Sequence, residues 1–164
     1  MCVGDGETYL IPIEVAEARY GIVVDQFALD PTDAGAGRHR GGRGCIRDYR
    51  AAVDGVTITA TFGRHKYVPW GIAGGRDGSR NAVHILRDDG SELVVGKTAR
   101  TMLKKGEVAR LVTGTGGGWG DPHERPVESV VEDVKDGYVT LAQAEHDYGV
   151  VLDPETYEKL EVRR

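Results

Sequence analysis

The stretch TGTGGGWGDPHERP, residues 113–126, puts five glycines and a tryptophan into its first eight positions, then runs through a charged cluster into proline. Glycine loses more backbone freedom on folding than any other residue. A cluster like this is therefore kept where the chain needs positive φ, or where another group comes too close for a side chain. Three readings are open: an anion cradle, a tight corner in which backbone packs on backbone, or a flexible connector. Both nucleotide-cradle templates fail, since no Gly-Lys-Ser/Thr follows and no G-x-G-x-x-G can be drawn through the run. A strand ahead and a helix behind still leave a geometry able to present backbone N–H groups to an anion. The corner is the simpler alternative. Glycine reaches 24 of 164 residues while proline stays at 6, so the excess marks special loops and not a collagen-like or low-complexity chain.

The remaining composition is that of one globular domain, with 40% hydrophobic and 29% charged residues, which excludes wholesale disorder. A net charge of −5 argues against nucleic acid or an acidic membrane as partner. Two cysteines, Cys2 and Cys45, make no disulfide framework and point to a reduced, cytoplasmic protein. No apolar run approaches a membrane span, and no signal-peptide core opens the chain.

Strands come first and helices last. Residues 21–29 read as a strand, followed by a glycine-arginine loop over residues 33–44. In CIRDYRAAVDGVTITATFGR, Asp54-Gly55 lies between two alternating runs and predicts a type I′ hairpin. A two-residue loop there would pair Val53 with Val56, Ala51 with Ile58, Tyr49 with Ala60 and Arg47 with Phe62. Residues 81–96 predict a second hairpin turning at Asp88 to Gly90, and residues 107–113 a last strand feeding the glycine loop. Beyond the loop, Val127, Val130, Val131 and Val134 fall at the spacing of an amphipathic helix, with Pro126 at its start and Gly137 at its end. Thr140 and Gln143 form a capping box for a helix stopped by Gly149, and Asp153-Pro154 predicts a third helix over residues 155–160. The fold class is α+β, mainly β: antiparallel hairpins forming a sheet, sandwich or barrel, then a C-terminal tail of two or three short helices. The boundaries expected are an entry segment 1–20, a β-rich domain 21–125 and a helical tail 126–164 packing on it.

RHRGGRGCIRDYR, residues 38–50, resembles an RNA-binding RGG box, but one such triplet leading into a strand in an acidic chain is a poor match. The arginines either face an anion, span a subunit interface or bond loop carbonyls. Asp121 and Arg125 are expected to pair with backbone or with each other. The five histidines never fall at metal-ligand spacing with one another or with the cysteines, and His84 is expected to pack within its strand. No nucleophile-base constellation suggests itself.

Residues 113–153, TGTGGGWGDPHERPVESVVEDVKDGYVTLAQAEHDYGVVLD, closely resemble the C-terminal end of the hydantoinase B/oxoprolinase family. That ending is a glycine run, an aromatic-Gly-Asp-Pro, a helix, an EDV.DG.VS stretch and YGVVL; here Thr140 stands where Ser is common and Trp119 where Tyr is common. AGAGRHRGGRGCIRDYR (residues 34–50), VPWGIAGGRDG (68–78) and LIPIEVAEARYG (10–21) resemble further family segments in the right order. The resemblance implies a small subunit or C-terminal module of an enzyme that opens hydantoin or 5-oxoproline rings with ATP, or carboxylates ketones of the acetone or acetophenone type. It implies larger A-type (ATP-binding) and B-type partner subunits, with ATP and a divalent metal on those partners, none on this chain, and no catalytic residue within it. A purely structural assembly subunit and a free-standing binding module are the alternatives. Residues expected to face substrate, phosphate or an interface are Arg40, Arg43, Gly116, Gly117, Gly118, Trp119, Asp121 and Arg125. Residues 116–121 are expected to form an ordered loop held by hydrogen bonds and facing the larger subunits or the cleft between them.

Overall fold

The computed structural model of the chain describes residues 11–163. Strands β1 (Ile22–Leu29), β2 (Cys45–Ala51), β4 (Ala82–Leu86), β5 (Glu92–Val95) and β7 (Val108–Val112) form one antiparallel sheet in the order β1-β2-β7-β4-β5. Strands β3 (Val56–Thr61) and β6 (Lys97–Leu103) form a separate antiparallel ribbon. The ribbon packs on the inner face of the sheet, where Ala60 and Leu103 meet Ala51, Val83, Ile85 and Ala109 in a buried cluster. Alternation along β4 and β7 explains this, because every second residue points at the ribbon. The architecture is mainly β with antiparallel sheets that do not close into a barrel.

The hairpin predicted across Asp54-Gly55 is not formed. A turn exists, but with positive φ only at Gly55 (82°) and not at Asp54 it is not type I′, and β2 already has a neighbour on each edge: Ala51 pairs with Ile22 of β1, and Tyr49 with Ala109 of β7. A strand has only two edges, so β3 crosses to the other layer. There Val56 lies opposite Leu103 and Ile58 opposite Thr101. The turn serves as a corner between layers, and the Asp54 carboxylate accepts the Lys105 amide at 2.8 Å to hold it. The second hairpin forms as predicted: Ile85 faces Leu93, Leu86 faces Glu92, and Gly90 takes φ 80° in the turn.

Glu107, 4% exposed, closes the turn from β6 into β7. Its carboxylate accepts the Lys104 amide at 2.8 Å and an Arg87 N–H at 2.6 Å. The amide, then the guanidinium, holds its ionisation below the usual carboxylate range against the opposing effect of burial.

Two helices of the tail form where predicted. In α2 (Val127–Lys135) the stripe faces inward, with Val130 and Val134 buried. Pro126 lies just outside it at the cap. In α3 (Leu141–Tyr148) the Thr140–Gln143 capping box is complete, and Gly149 ends the helix at φ 66°. The third predicted helix is absent. Asp153 does cap a turn, accepting the amides of Glu155 and Thr156 at 2.9 and 2.8 Å, but Tyr157 takes φ 58° and reverses the chain. Strand β9 (Lys159–Val162) then pairs back on β8 (Val150–Leu152), and a β-pairing replaces a helix too short to hold itself. A further helix, α1 (Ile13–Tyr20), precedes β1 and ends at Gly21 with φ 62°; residues 1–10 of the expected entry segment lie outside the described residues. Among the described residues no helix is long and apolar enough to cross a membrane.

Candidate functional site: the glycine weave and its clamp

Three glycine-rich segments, residues 33–44, 69–79 and 113–120, lie side by side and bond through their main chains. Gly35 and His39 donate to Gly116 and Trp119 carbonyls, both at 2.9 Å, while Trp119 donates back to His39 at 2.8 Å. From the second segment Ile72 donates to Gly118, and Gly118 and Gly120 donate to Arg76 and Ile72, all at 2.9 Å. Arg76 closes the triangle by donating to Ala36 at 2.7 Å. Fully buried Thr115 ties the same three strands of chain. Its hydroxyl donates to the Asp33 carbonyl at 3.1 Å and accepts the Ser79 amide at 2.8 Å, and its own amide reaches the Ser79 hydroxyl at 2.9 Å.

The separation explains the residue type. A Cβ on Gly41 would lie 2.0 Å from the Gly116 carbonyl oxygen, one on Gly118 2.1 Å from that of Ala36, and one on Gly75 2.2 Å from that of Gly118. No L side chain fits at those positions. The amides of Gly116, Gly118, Trp119 and Gly120 are all engaged by carbonyls, so they do not cradle an anion. Of the three readings open in the sequence, the backbone-on-backbone corner is the one formed, and residues 116–121 are ordered by hydrogen bonds.

The expected site residues divide into two groups. Arg40 and Arg125 turn inward onto Asp133 of α2: Arg40 Nε lies 3.0 Å from one carboxylate oxygen, and an Arg125 terminal N–H donates to the other at 2.7 Å. Arg40 also donates to the Gly41 carbonyl at 3.1 Å and stacks 4.6 Å from the Tyr138 ring centre. Arg125 donates to the Arg38 carbonyl at 3.0 Å. This clamp fastens the weave to the tail, over a cluster in which Ala36 packs with Val130, Val134, Ala144 and Tyr148. Burial pushes the Tyr148 phenol up. Arg125 therefore pairs with backbone, as expected, and in addition with Asp133. Arg43 is half-buried, with its Nε turned inward and unbonded.

Facing out are Trp119 and Asp121. Asp121 is exposed and caps the short 3-10 turn Pro122–Glu124, accepting the His123 amide at 2.9 Å. Trp119, 48% exposed, is bridged by main chain to His39 on one side and Ile72 on the other. Bridged residues share a face, so the three side chains form a row on the outside of the weave; the His39 and Trp119 rings are 5.6 Å apart. Sequence reasoning missed Asp133, the hub of the clamp. Its one signal is an acidic residue immediately beside the Val130–Val134 stripe. His84, expected to pack in its strand, lies in β4 beside Glu92, with Nδ1 2.5 Å from the carboxylate. Among the described residues no three His, Cys, Asp or Glu side chains come together as a metal site.

The ordered glycine segments coincide with the stretches that carry the family likeness, and a family model described as hydantoinase B/oxoprolinase matches residues 1–122. The chain belongs to the hydantoinase B/oxoprolinase family. It is 37% identical to a protein of Pseudomonas sp. (strain NS671) named as a putative D-/L-hydantoinase subunit, over 86% of this chain and 24% of that protein. Within the same family it is similar in structure to the ATP-dependent caprolactamase from Pseudomonas jessenii, with a TM-score of 0.73 and 28% identity over 87% of this chain and 25% of that one. A nucleotide-free acetone carboxylase shares the fold, with a TM-score of 0.71 at 18% identity, over 93% of this chain and 24% of that one. The chain thus spans about a quarter of the length of these family relatives.

Proposed function

We propose that this chain is a non-catalytic module of a larger ATP-dependent enzyme that opens cyclic amides, and that the weave is the rigid surface it offers to larger subunits. The observation that carries the reading is the row His39–Trp119–Ile72. A tryptophan half-exposed at the centre of a backbone too tightly bonded to move has the character of an interface anchor, already ordered before its partner arrives. Family membership supports the rest. The relatives named for hydantoinase and caprolactamase act, by those names, on cyclic amides, which favours ring opening over ketone carboxylation. ATP and a divalent metal belong in this reading to A-type and B-type partners, and the enzyme to the cytoplasm. Gly116, Gly117 and Gly118 then contribute closeness of approach, and Arg43 and Asp121 lie at the rim. A purely structural subunit is the second reading, favoured by the commitment of both Arg40 and Arg125 to Asp133.

The test is co-expression with the larger chains. Trp119→Ala is expected to weaken assembly at least about tenfold, the loss of one anchoring side chain, while the isolated chain melts within about 2 °C of the unaltered one, as surface substitutions do. Unchanged assembly of the variant would remove the weave from the interface.

A further inference from the structure

The paired arginines of the five-stranded sheet lie on its outer face. Arg50 grips Asp25 through two bonds of 2.9 Å, and Arg110 grips Asp48 through two of 2.8 Å. Arg47 points the other way. Its register partners are Phe27 on β1 and Leu111 on β7, and Leu111 pairs in turn with Val83 of the buried cluster. Arg47 therefore stands on the inner, apolar face. It is only 8% exposed, its Nε is buried and unbonded, and its guanidinium lies over the rings of Phe27 and Tyr49, at 5.2 and 5.0 Å. No carboxylate of the described residues pairs with it.

That state is costly for this side chain in particular. A buried lysine or carboxylate escapes by changing its protonation, but a guanidinium stays charged at every pH a protein meets. Aromatic faces relieve part of the charge and supply no acceptor. The surroundings are unfinished as well. Phe27 and Leu29, on the same face of edge strand β1, are 53% and 51% exposed. A groove of about 540 Å³ opens between the sheet and the ribbon, past Tyr49 and Leu111 towards Ile58. The two-stranded ribbon is too narrow to cover five strands.

We infer that Arg47 is a receptor for an aspartate or glutamate side chain of a larger partner polypeptide, which covers the Phe27–Leu29 edge and delivers its carboxylate to the guanidinium. The inference rests on the proposed partnership, and three observations choose this occupant. The charge is fixed and positive, so the complement is an anion. Its planar fork matches a carboxylate. The rim is apolar, and about three quarters of the length of the family relatives lies outside this chain, so the covering group has a polypeptide to come from.

Arg47→Met and Arg47→Lys, compared with the unaltered chain, test it by two readouts that move in opposite directions. Melting of the isolated Arg47→Met chain is expected at the same temperature or higher, because a guanidinium with a buried, unbonded Nε has gone. Its dissociation constant from the larger chains is expected to rise at least tenfold, with Arg47→Lys in between. An Arg47→Met chain that melts several degrees lower yet assembles normally would make Arg47 an ordinary structural residue and overturn the inference. So would self-association of the unaltered chain that the substitution abolishes, which would make the occupant a second copy. Stabilisation of the unaltered but not the Arg47→Met chain by succinate, with assembly unaffected, would assign the site to a small carboxylate and overturn it too. Failure of the unaltered chain to assemble overturns the proposed function along with this inference. Normal assembly of Arg47→Met beside a disrupted Trp119→Ala overturns this inference alone.

Discussion

Gly41 and Gly42 are neighbours in one loop, yet the weave makes opposite demands on them. An alanine Cβ at Gly41 would lie 2.0 Å from the Gly116 carbonyl oxygen and 2.4 Å from its carbon, whereas one at Gly42 meets nothing within 4 Å. Real Cβ–oxygen contacts essentially never fall below 3.0 Å, so Gly41→Ala must drive the two segments apart by roughly 1 Å. Two hydrogen bonds hold Gly116 in place, from the Gly35 amide and to the Gly42 carbonyl, both 2.9 Å long. Lengthened by that much, both leave the bonding range. Two main-chain pairs broken in a packed environment cost about 2–5 kcal/mol together. For a chain of this size the melting temperature should fall by about 5–15 °C. Gly42→Ala should be neutral, or stabilise by up to about 1 kcal/mol through the less flexible unfolded chain. Calorimetry or urea denaturation of the two variants against the unaltered protein decides the matter. Equal melting within about 1 °C would show that the segments do not touch as described.

Two further perturbations probe the clamp and the turn. Asp133→Asn leaves two guanidinium groups facing a neutral amide and should cost about 3 kcal/mol; a urea midpoint that does not move would show that the clamp contributes nothing. Glu107 ionises more readily folded than unfolded, so its contribution is complete above the ordinary glutamate pKa and is lost as pH falls through about 4 towards the lowered folded value. Stability measured between about pH 6 and 3 should therefore decline less steeply for Glu107→Gln than for the unaltered chain, and parallel curves would contradict the assignment.

Local signals in the sequence were legible where the structure uses them locally. The α2 stripe and the Thr140 capping box need only neighbours three or four residues away, and both are found as read. Asp54-Gly55 shows the limit: a turn forms there, though not of the predicted type I′ because only Gly55 takes positive φ, and the partner of β3 is chosen by competition for the edges of β2, which no window around the turn contains. Asp153 is similar, a real cap for a helix that loses to the β8–β9 pairing. Strand β6 was missed because KTARTML alternates without a consistently apolar face. In the weave, glycine content announced that something must approach the backbone. What approaches is a pair of segments that are glycine-rich themselves, and the hub of the clamp, Asp133, is joined to Arg40 only by the finished fold.

The position of β7 has a consequence for how the protein comes into being. It is the middle strand of the sheet, lying between β2 and β4, and it runs directly into the segment that completes the weave through bonds such as that from Thr115 to Asp33, 82 residues apart. A nascent chain that has not yet delivered this stretch holds a β1–β2 half and a β4–β5 half with nothing between them. Their inner edges, at β2 and β4, stay unpaired and open to wrong partners. One late insertion then joins both halves and locks the glycine segments together. So long a closure, made before any of its contacts can reward it, sets a slow folding step. For a cell making this chain, the hazardous interval is the wait for residues 108–120, after both flanking halves of the sheet are already exposed.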